Sequence, residues 1–161
     1  MPYEPAPDAV HLVKVWDVLK KNSLEAIIVG LTGAALHGAP VTTVDFDFLA
    51  RDTPRNRKKI RAVAEDLKVV ALQPFLPASN MFRLIGGPVQ VDILFAISGS
   101  SFNRERASAK EIVVLGRRLL VSSLENIIAS KKKAGRGKDK AVIPILEETR
   151  KVIKAFGRKE S

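Results

Sequence analysis

Apolar residues recur along this chain at two spacings, and their alternation predicts an α+β fold. Spacings of three or four residues predict helices over 8–22, 32–37, 51–67, 122–134 and 138–156. Short apolar or alternating runs predict strands at 26–29, 42–49, 69–72, 81–85, 89–97, 112–115 and 118–121. Residues 2–7 and 98–110 are expected to be irregular, the second as a loop or loose helix. We therefore expect a mixed central sheet flanked by helices, with helices at the C-terminal end.

Two glycine-containing turns divide the later strands into hairpins. Gly86, Gly87 and Pro88 separate the runs 81–85 and 89–97, and Gly116 separates the last two runs. Such punctuation between alternating segments is typical of antiparallel pairs.

The length of 161 residues favours one domain, residues 1–161, without an internal repeat or a linker. Within it we expect an N-terminal helix in 1–25, a sheet core in 26–121 and basic helices in 122–161. Trp16 is expected in the core, Asp8 as the N-cap of the first helix and Pro144 as a kink or an early-turn position in the last one.

Cysteine is absent and only His11 and His37 could supply nitrogen ligands, so any metal is expected to bind oxygen. No apolar run is long enough to span a bilayer, and the N-terminal residues do not form a secretion signal. We therefore expect a cytoplasmic protein without a membrane partner.

Basic residues exceed acidic ones by ten, and they are concentrated in two segments. Residues 131–161 contain 11 Lys and Arg against 4 Asp and Glu, and residues 51–61 contain 6 against Asp52 alone. This distribution favours polyanionic partners such as nucleotides or nucleic acid. The alternative is a basic surface that serves solubility alone.

The strongest candidate for chemistry is the Asp45-Phe46-Asp47 segment. Its two carboxylates project from one side of a predicted strand, about 6 to 7 Å apart, which suits binding of one or two divalent ions. Asp92 lies between apolar residues in a second strand, where a lone charge needs a partner or a cation. Because Lys and Arg cluster elsewhere in the chain, Mg²⁺ or Mn²⁺ is the simplest counter-charge. The alternative places Asp45 and Asp47 on the solvent side of an edge strand, with Asp92 capping or pairing elsewhere.

The segment VGLTGAALHGAPVTTVDFD (29–47) resembles the signature of the DNA polymerase beta-like nucleotidyltransferases, particularly their small prokaryotic toxin-antitoxin and abortive-infection members. That signature has a glycine turn, a short helix often ending in His-Gly, an Asp-x-Asp strand and a later third Asp, which Asp92 matches. The segments SLENIIASK (123–131) and GRGKD (135–139) resemble the Leu-Ile-x-x-Lys and Gly-Arg-x-Lys-Asp elements of the same proteins. The resemblance extends over roughly residues 26–146.

The resemblance implies the nucleotidyltransferase fold and assigns roles to individual residues. Asp45, Asp47 and Asp92 would be the catalytic, metal-binding carboxylates, with Asp92 assisting a second metal and activating the attacking hydroxyl. The backbone of Gly30, Leu31 and Thr32 would hold phosphates. The other nucleotide-binding candidates are Thr43, Lys131 and Arg136, although Lys131 could equally be a solvated helix end. His37 is expected to be a packed or capping residue, and Asp139 to cap the last helix or pair with Arg136.

The implied reaction is metal-dependent transfer of a nucleoside monophosphate from an NTP to a hydroxyl of RNA, such as tRNA, or of a protein, possibly within a toxin-antitoxin pair. Two positions depart from the signature: Leu31 replaces a glycine or serine, and Val41 replaces an arginine. They favour an alternative, a catalytically degenerate binding module that contacts a toxin, an antitoxin or nucleic acid. A metal-dependent nuclease or phosphohydrolase is a third option, because such enzymes also use clustered carboxylates.

Overall fold

A computed structural model describes residues 7–73 and 80–160 of the chain. The predicted mixed sheet with flanking helices is confirmed. In chain order, the elements are α1 (Pro7–Lys21), β1 (Ile27–Ile28), α2 (Gly30–Leu36), β2 (Asp45–Leu49), α3 (Pro54–Leu67), β3 (Val70–Leu72), β4 (Met81–Ile85), β5 (Gln90–Leu94), α4 (Phe102–Ser108), β6 (Lys110–Val114), β7 (Arg117–Val121), α5 (Leu124–Ala134) and α6 (Gly137–Glu160).

The seven described strands form one sheet in the order β3-β4-β5-β2-β1-β7-β6. The two predicted hairpins are present as the antiparallel pairs β4–β5 and β6–β7. In the centre, β2 pairs in parallel with β5 and antiparallel with β1. The Asp-x-Asp strand is therefore internal, which excludes the edge-strand alternative.

The two faces of β2 have different surroundings. Phe46 and Phe48 are buried in the largest apolar cluster, which α1 and α3 cover with residues such as Trp16 and Ile60. Because side chains alternate along a strand, Asp45 and Asp47 project to the opposite face. The helices α2, α5 and α6 pack together there through a second apolar cluster. The sheet thus places its acidic face beside α2, α5 and α6.

The ends of α3 and α5 have the capping residues that are typical of helix termini. Thr53 accepts a hydrogen bond from the Asn56 amide at 3.0 Å, and Pro54 occupies the first turn of α3. Of the two predicted caps for α5, Ser123 is the one used, at 3.2 Å from the Asn126 amide. α5 ends at Gly135, which adopts a left-handed conformation with φ of 63°.

Three predicted boundaries near the site were wrong. The strand expected from residue 42 begins only at Asp45, because the Thr43 hydroxyl donates to the Asp45 carbonyl at 2.6 Å and curls the chain there. Val44 therefore does not share the buried face with Phe46 and is 83% exposed. β1 has only two residues, because Val29 is already the N-cap of α2.

The remaining differences lie farther from the acidic face. Residues 98–110, expected to be a loop or loose helix, contain the helix α4, which Ser101 caps by accepting from the Arg104 amide at 3.2 Å. Asp8 lies in the first turn of α1 instead of capping it, since the helix already includes Pro7. Pro144 lies inside α6, which is longer than predicted at both ends. The prediction for residues 2–6 falls outside the described residues. Among the described helices, none has the length and apolar character needed to cross a membrane.

Candidate active site

Three carboxylates meet on two neighbouring strands at the centre of the sheet. Asp47 on β2 is in register with Asp92 on β5, and Asp45 precedes Asp47 on the same side of β2. Asp45 and Asp47 are half-buried, whereas Asp92 is 5% exposed. The parallel pairing of β2 and β5 thus brings together residues 45 positions apart, as the sequence predicted for a single acidic centre.

The Asp47 carboxyl carries an electrostatic penalty. Its burial, and then the neighbouring charges of Asp92 and Asp45, raise its pKa to about 6, while Lys131 and Lys138 oppose the rise. The two lysines therefore do not fully compensate the negative charge of Asp47. This remaining charge favours a bound cation.

Asp92, by contrast, has a partner that the sequence analysis missed. Arg83 of β4 lies opposite Asp92 in the hairpin register and donates from Nε to Oδ1 at 3.1 Å and from Nη2 to Oδ2 at 3.4 Å. Gln90 Nε2 also contacts both carboxylate oxygens, at 3.3 and 3.4 Å. The expectation that no basic residue neutralises the acidic centre was therefore wrong. The predicted three-residue turn would have placed Arg83 opposite Val91, whereas the loop between β4 and β5 has four residues, 86–89, and places Arg83 opposite Asp92.

The donor set fits a hard divalent cation at Asp45 and Asp47, which offer oxygen ligands and uncompensated negative charge. Over residues 7–73 and 80–160, however, no group of three or more Asp, Glu or His side chains is arranged to hold a metal ion. Asp92 is instead engaged by Arg83. Ligation by Asp45, Asp47 and Asp92 together stays a prediction.

Gly30 allows α2 to begin directly against the acidic centre. It has a φ of 64°, and a Cβ at this position would lie 2.9 Å from Asp47 Oδ2. Its neighbour Leu31 is half-buried. Val41, the other departure from the signature, packs against the apolar cluster of α2, α5 and α6.

The two threonines selected as nucleotide-binding candidates both bond to the backbone of β2. Thr32 is buried, and its hydroxyl donates to the Asp45 carbonyl at 3.1 Å and accepts from the Asp47 amide at 3.4 Å. Thr43 donates to the same carbonyl. The Thr32 side chain thus holds the acidic strand against α2, whereas the Thr43 bond is local to the segment that leads into β2. Contact of Leu31, Thr32 or Thr43 with a nucleotide stays a prediction.

Lys131 and Arg136 lie across from the acidic centre and share one buried carboxylate. Asp139 is 1% exposed and lies 2.6 Å from Arg136 Nε and 3.3 Å from Lys131 Nζ. It also accepts from the Arg136 amide at 3.3 Å at the start of α6. The predicted Asp139 cap and its pairing with Arg136 are both confirmed. Lys131 is not a solvated helix end, since its side chain is 14% exposed.

A cavity of about 380 Å³ lies between Asp47 of the acidic centre and the basic residues Lys131 and Arg136. Gly30 and Asp47 line one side, and Lys131, Ser130 and Arg136 line the other. The volume lies within the range of small-ligand sites. Asp45, Asp92 and Thr43 are not among its lining residues, so the cavity adjoins the acidic centre through Asp47.

The cavity is also lined by Glu105, a hydrogen-bonded carboxylate that the sequence did not reveal. Glu105 of α4 is 1% exposed and accepts from Ser122 Oγ at 2.6 Å, Asn126 Nδ2 at 2.6 Å and Ser100 Oγ at 2.9 Å. Among residues 7–73 and 80–160, the side chains that donate to this carboxylate are all neutral. No local pattern identified it, because two of its three partners, Ser122 and Asn126, are 17 and 21 positions away in the sequence.

His37 behaves as expected of a packed residue. Its Nε2 lies 2.7 Å from the Ser122 carbonyl, which ties the end of α2 to the residue before α5. Trp16 is also buried as predicted.

Solved structures share this architecture. The antibiotic-resistance factor ANT(2'')-Ia is similar over 95% of this chain and 92% of its own, with a TM-score of 0.66 and 16% identity. The lincosamide antibiotic adenylyltransferase LnuA matches 91% of this chain and 99% of its own, with a TM-score of 0.64 and 12% identity. The chain has the nucleotidyltransferase fold.

A third similar structure is TM1012 from Thermotoga maritima, provisionally named a nucleotidyltransferase, with a TM-score of 0.65 and 21% identity over 95% of this chain and 97% of its own. Sequence comparison adds nothing to these structural similarities. No protein-family profile matches the chain, and no curated protein sequence matches it.

Proposed function

We propose that this protein is a nucleotidyltransferase that transfers a nucleoside monophosphate from an NTP to an acceptor hydroxyl. The supporting observation is the in-register placement of Asp47 beside Asp92, with Asp45 next to them, across a small cavity from Lys131 and Arg136. An acidic centre facing basic groups suits a metal-bound triphosphate. The fold shared with antibiotic adenylyltransferases points to the same chemistry.

Asp45 and Asp47 would hold Mg²⁺ or Mn²⁺, which supplies charge stabilisation to the triphosphate when bound. The backbone at Gly30, Leu31 and Thr32 would adjoin the phosphates, and Lys131 and Arg136 would bind their outer oxygens. Thr43 would orient Asp45. In the reaction, the acceptor oxygen bonds to the α-phosphorus, the bond to the β-phosphate bridging oxygen breaks, and pyrophosphate leaves.

Asp92 would receive the proton of the acceptor hydroxyl. Its bonds from Gln90 are long, at 3.3 and 3.4 Å, so a hydroxyl donor can replace the amide without loss of a hydrogen bond. The phosphoryl group of such reactions passes through a loose transition state, which needs little prior deprotonation of the nucleophile. A weakly basic carboxylate is sufficient for this role.

The acceptor is proposed to be a polyanion, in particular RNA such as tRNA, with a protein acceptor second. The basis is the charge of residues 131–161, where basic residues exceed acidic ones by seven. LnuA is named for a lincosamide acceptor, and a second ANT(2'')-Ia structure contains adenylyl-2''-tobramycin. Small hydroxylated antibiotics are therefore a third class to test. A toxin or antitoxin partner and a cytoplasmic location belong to the same proposal.

The test is label transfer from each of the four α-³²P-labelled NTPs, with Mg²⁺ or Mn²⁺. Acceptors are total tRNA, the protein itself with a protein mixture, and a panel of aminoglycosides and lincosamides. We expect label in one acceptor class, a loss of at least about 100-fold in Asp45→Asn and Asp47→Asn, and unchanged transfer in the surface control Asp17→Asn. Absence of label from every acceptor with every NTP would overturn the proposal.

A non-catalytic binding module is the second candidate. It is favoured by the fact that Arg83 already pairs with Asp92 and that Asp139 already pairs with both Lys131 and Arg136. This alternative predicts binding of tRNA that is equal in wild type and in Asp45→Asn plus Asp47→Asn, without label transfer. Filter binding at two salt concentrations measures it.

A further inference from the structure

Arg83 and Asp92 form a bidentate guanidinium–carboxylate pair whose position is set by the pairing of β4 with β5. Arg83 and Asp92 are directly opposite in the β4–β5 register, and two guanidinium nitrogens face the two carboxylate oxygens. Planar contacts of this kind are specific in geometry as well as charge. The position of Arg83 follows from backbone pairing and does not depend on a flexible loop.

The hydrogen-bonding capacity of Asp92 is fully used. A carboxylate has about four lone-pair sites. Arg83 and Gln90 each contact both oxygens, which gives four contacts, and the Asp92 side chain is only 7% exposed. A metal ion could bind Asp92 only by displacing Gln90, whose place the acceptor hydroxyl takes in the proposed reaction, or by displacing Arg83, which would leave two cations side by side.

Charge leads to the same conclusion. Arg83 offsets one of the three carboxylates, so two negative charges remain, on Asp45 and Asp47, and one divalent cation balances them. The guanidinium also interacts with the whole centre, since hydrogen bonding to Asp92, and then the charges of Asp92, Asp45 and Asp47, raise the pKa of Arg83. Without the nucleotide, a second divalent ion would bring an excess of positive charge to these four side chains.

We propose that Arg83 occupies the place of a second metal ion, so that the centre binds a single divalent cation at Asp45 and Asp47. The inference rests on the proposed function, because it assumes that this pair binds a metal with the nucleotide. In it, Arg83 is a positioning residue that holds Asp92 in place and supplies fixed positive charge beside the acceptor hydroxyl.

The test counts bound Mn²⁺ by electron paramagnetic resonance, in the presence of α,β-methylene analogues of the four NTPs, each used in turn. Free Mn²⁺ gives the number of ions bound per chain, and spin coupling reports whether two ions are adjacent. We expect one uncoupled ion in wild type and two coupled ions in Arg83→Met, in which Asp92 loses its fixed cation. Arg83→Lys keeps the charge and should bind one ion.

Arg117→Met is the matched control. Arg117 also pairs with a carboxylate at 3.1 Å, that of Asp17, but it lies on the surface pair between β7 and α1. This variant should bind one ion, as wild type does.

Two coupled ions in wild type would overturn the inference and leave the proposed function intact. One ion in both wild type and folded Arg83→Met would also overturn it, because Arg83 would then not exclude the second ion. If Arg83→Met does not fold, the wild-type count still decides. No bound Mn²⁺ with any analogue would overturn both the inference and the metal-dependent function, whereas failure of label transfer alone would affect only the function.

Discussion

The two sides of the cavity use opposite arrangements of charge. Next to the acidic side three carboxylates lie near one guanidinium, which pairs with Asp92, and on the basic side Lys131 and Arg136 share one carboxylate. Each side is thus partly neutralised by the protein, and the remaining charge is negative on one side and positive on the other. A metal-bound triphosphate carries both kinds of charge and would complement both sides at once. Incomplete pairing of charged side chains therefore marks the site better than the number of charged residues does.

Removing the shared carboxylate of the basic side should have the largest effect on stability. Asp139→Asn leaves the nearly buried Lys131 without its counter-ion, so we expect a loss of about 2 to 3 kcal/mol in the free energy of unfolding. Guanidinium denaturation at pH 7.5 measures it. The control Asp17→Asn removes an exposed pair and should cost less than about 1 kcal/mol. Equal losses in the two variants would contradict the importance of the buried pair.

Neutralising Asp47 on the acidic side should instead increase the free energy of unfolding. In the folded state the Asp47 pKa is about 6, above its value of 3.8 in a model compound, so folding favours the protonated form. The wild type should therefore lose stability as the pH rises from about 4 through 6. Asp47→Asn, with EDTA present, should be more stable than wild type by up to about 2 kcal/mol at pH 8.

That gain should shrink as the pH falls toward 4 and vanish at lower pH, because the wild-type carboxyl is protonated in both states only below its model-compound pKa of 3.8. Denaturation of both proteins across this range provides the measurement. A variant less stable than wild type at pH 8 would show that the Asp47 charge is already compensated. Addition of Mn²⁺ at pH 8 should raise the melting temperature of wild type only.

The smallest effect concerns the contact between α2 and the acidic centre. Gly30→Ala and Gly135→Ala impose the same backbone strain, since φ is 64° and 63°, and each should cost about 1 kcal/mol. Only at position 30 would the added Cβ meet the Asp47 carboxylate, at 2.9 Å; at position 135 the nearest atom is 3.8 Å away. The Mn²⁺-dependent rise in melting temperature should therefore fall in Gly30→Ala alone. An equal fall in both variants would argue against this contact.

The predictability of this molecule from sequence depended on how local the determining interactions are. The helices, both hairpins and the acidic strand were predicted because spacing, caps and turns act over a few residues. The residue range of the Asp45 strand was not, because the Thr43 hydroxyl reshapes the chain before it. Arg83 was overlooked because the loop between β4 and β5 is one residue longer than predicted, which moves Asp92 opposite it. The engagement of Lys131 by Asp139 required the packing of α5 on α6, which no local pattern encodes.

The hydrogen-bonded group of Glu105, Ser100, Ser122 and Asn126 limits which substitutions this sequence can accept during evolution. Its carboxylate accepts from Ser100, Ser122 and Asn126, and replacing any one of them would leave a buried polar group without its partner. Single substitutions here should be selected against, whereas compensated double substitutions should be tolerated. Among descendants of a common ancestor, these four positions should consequently vary together, and their covariation would record the contact between α4 and α5 in the absence of any structure.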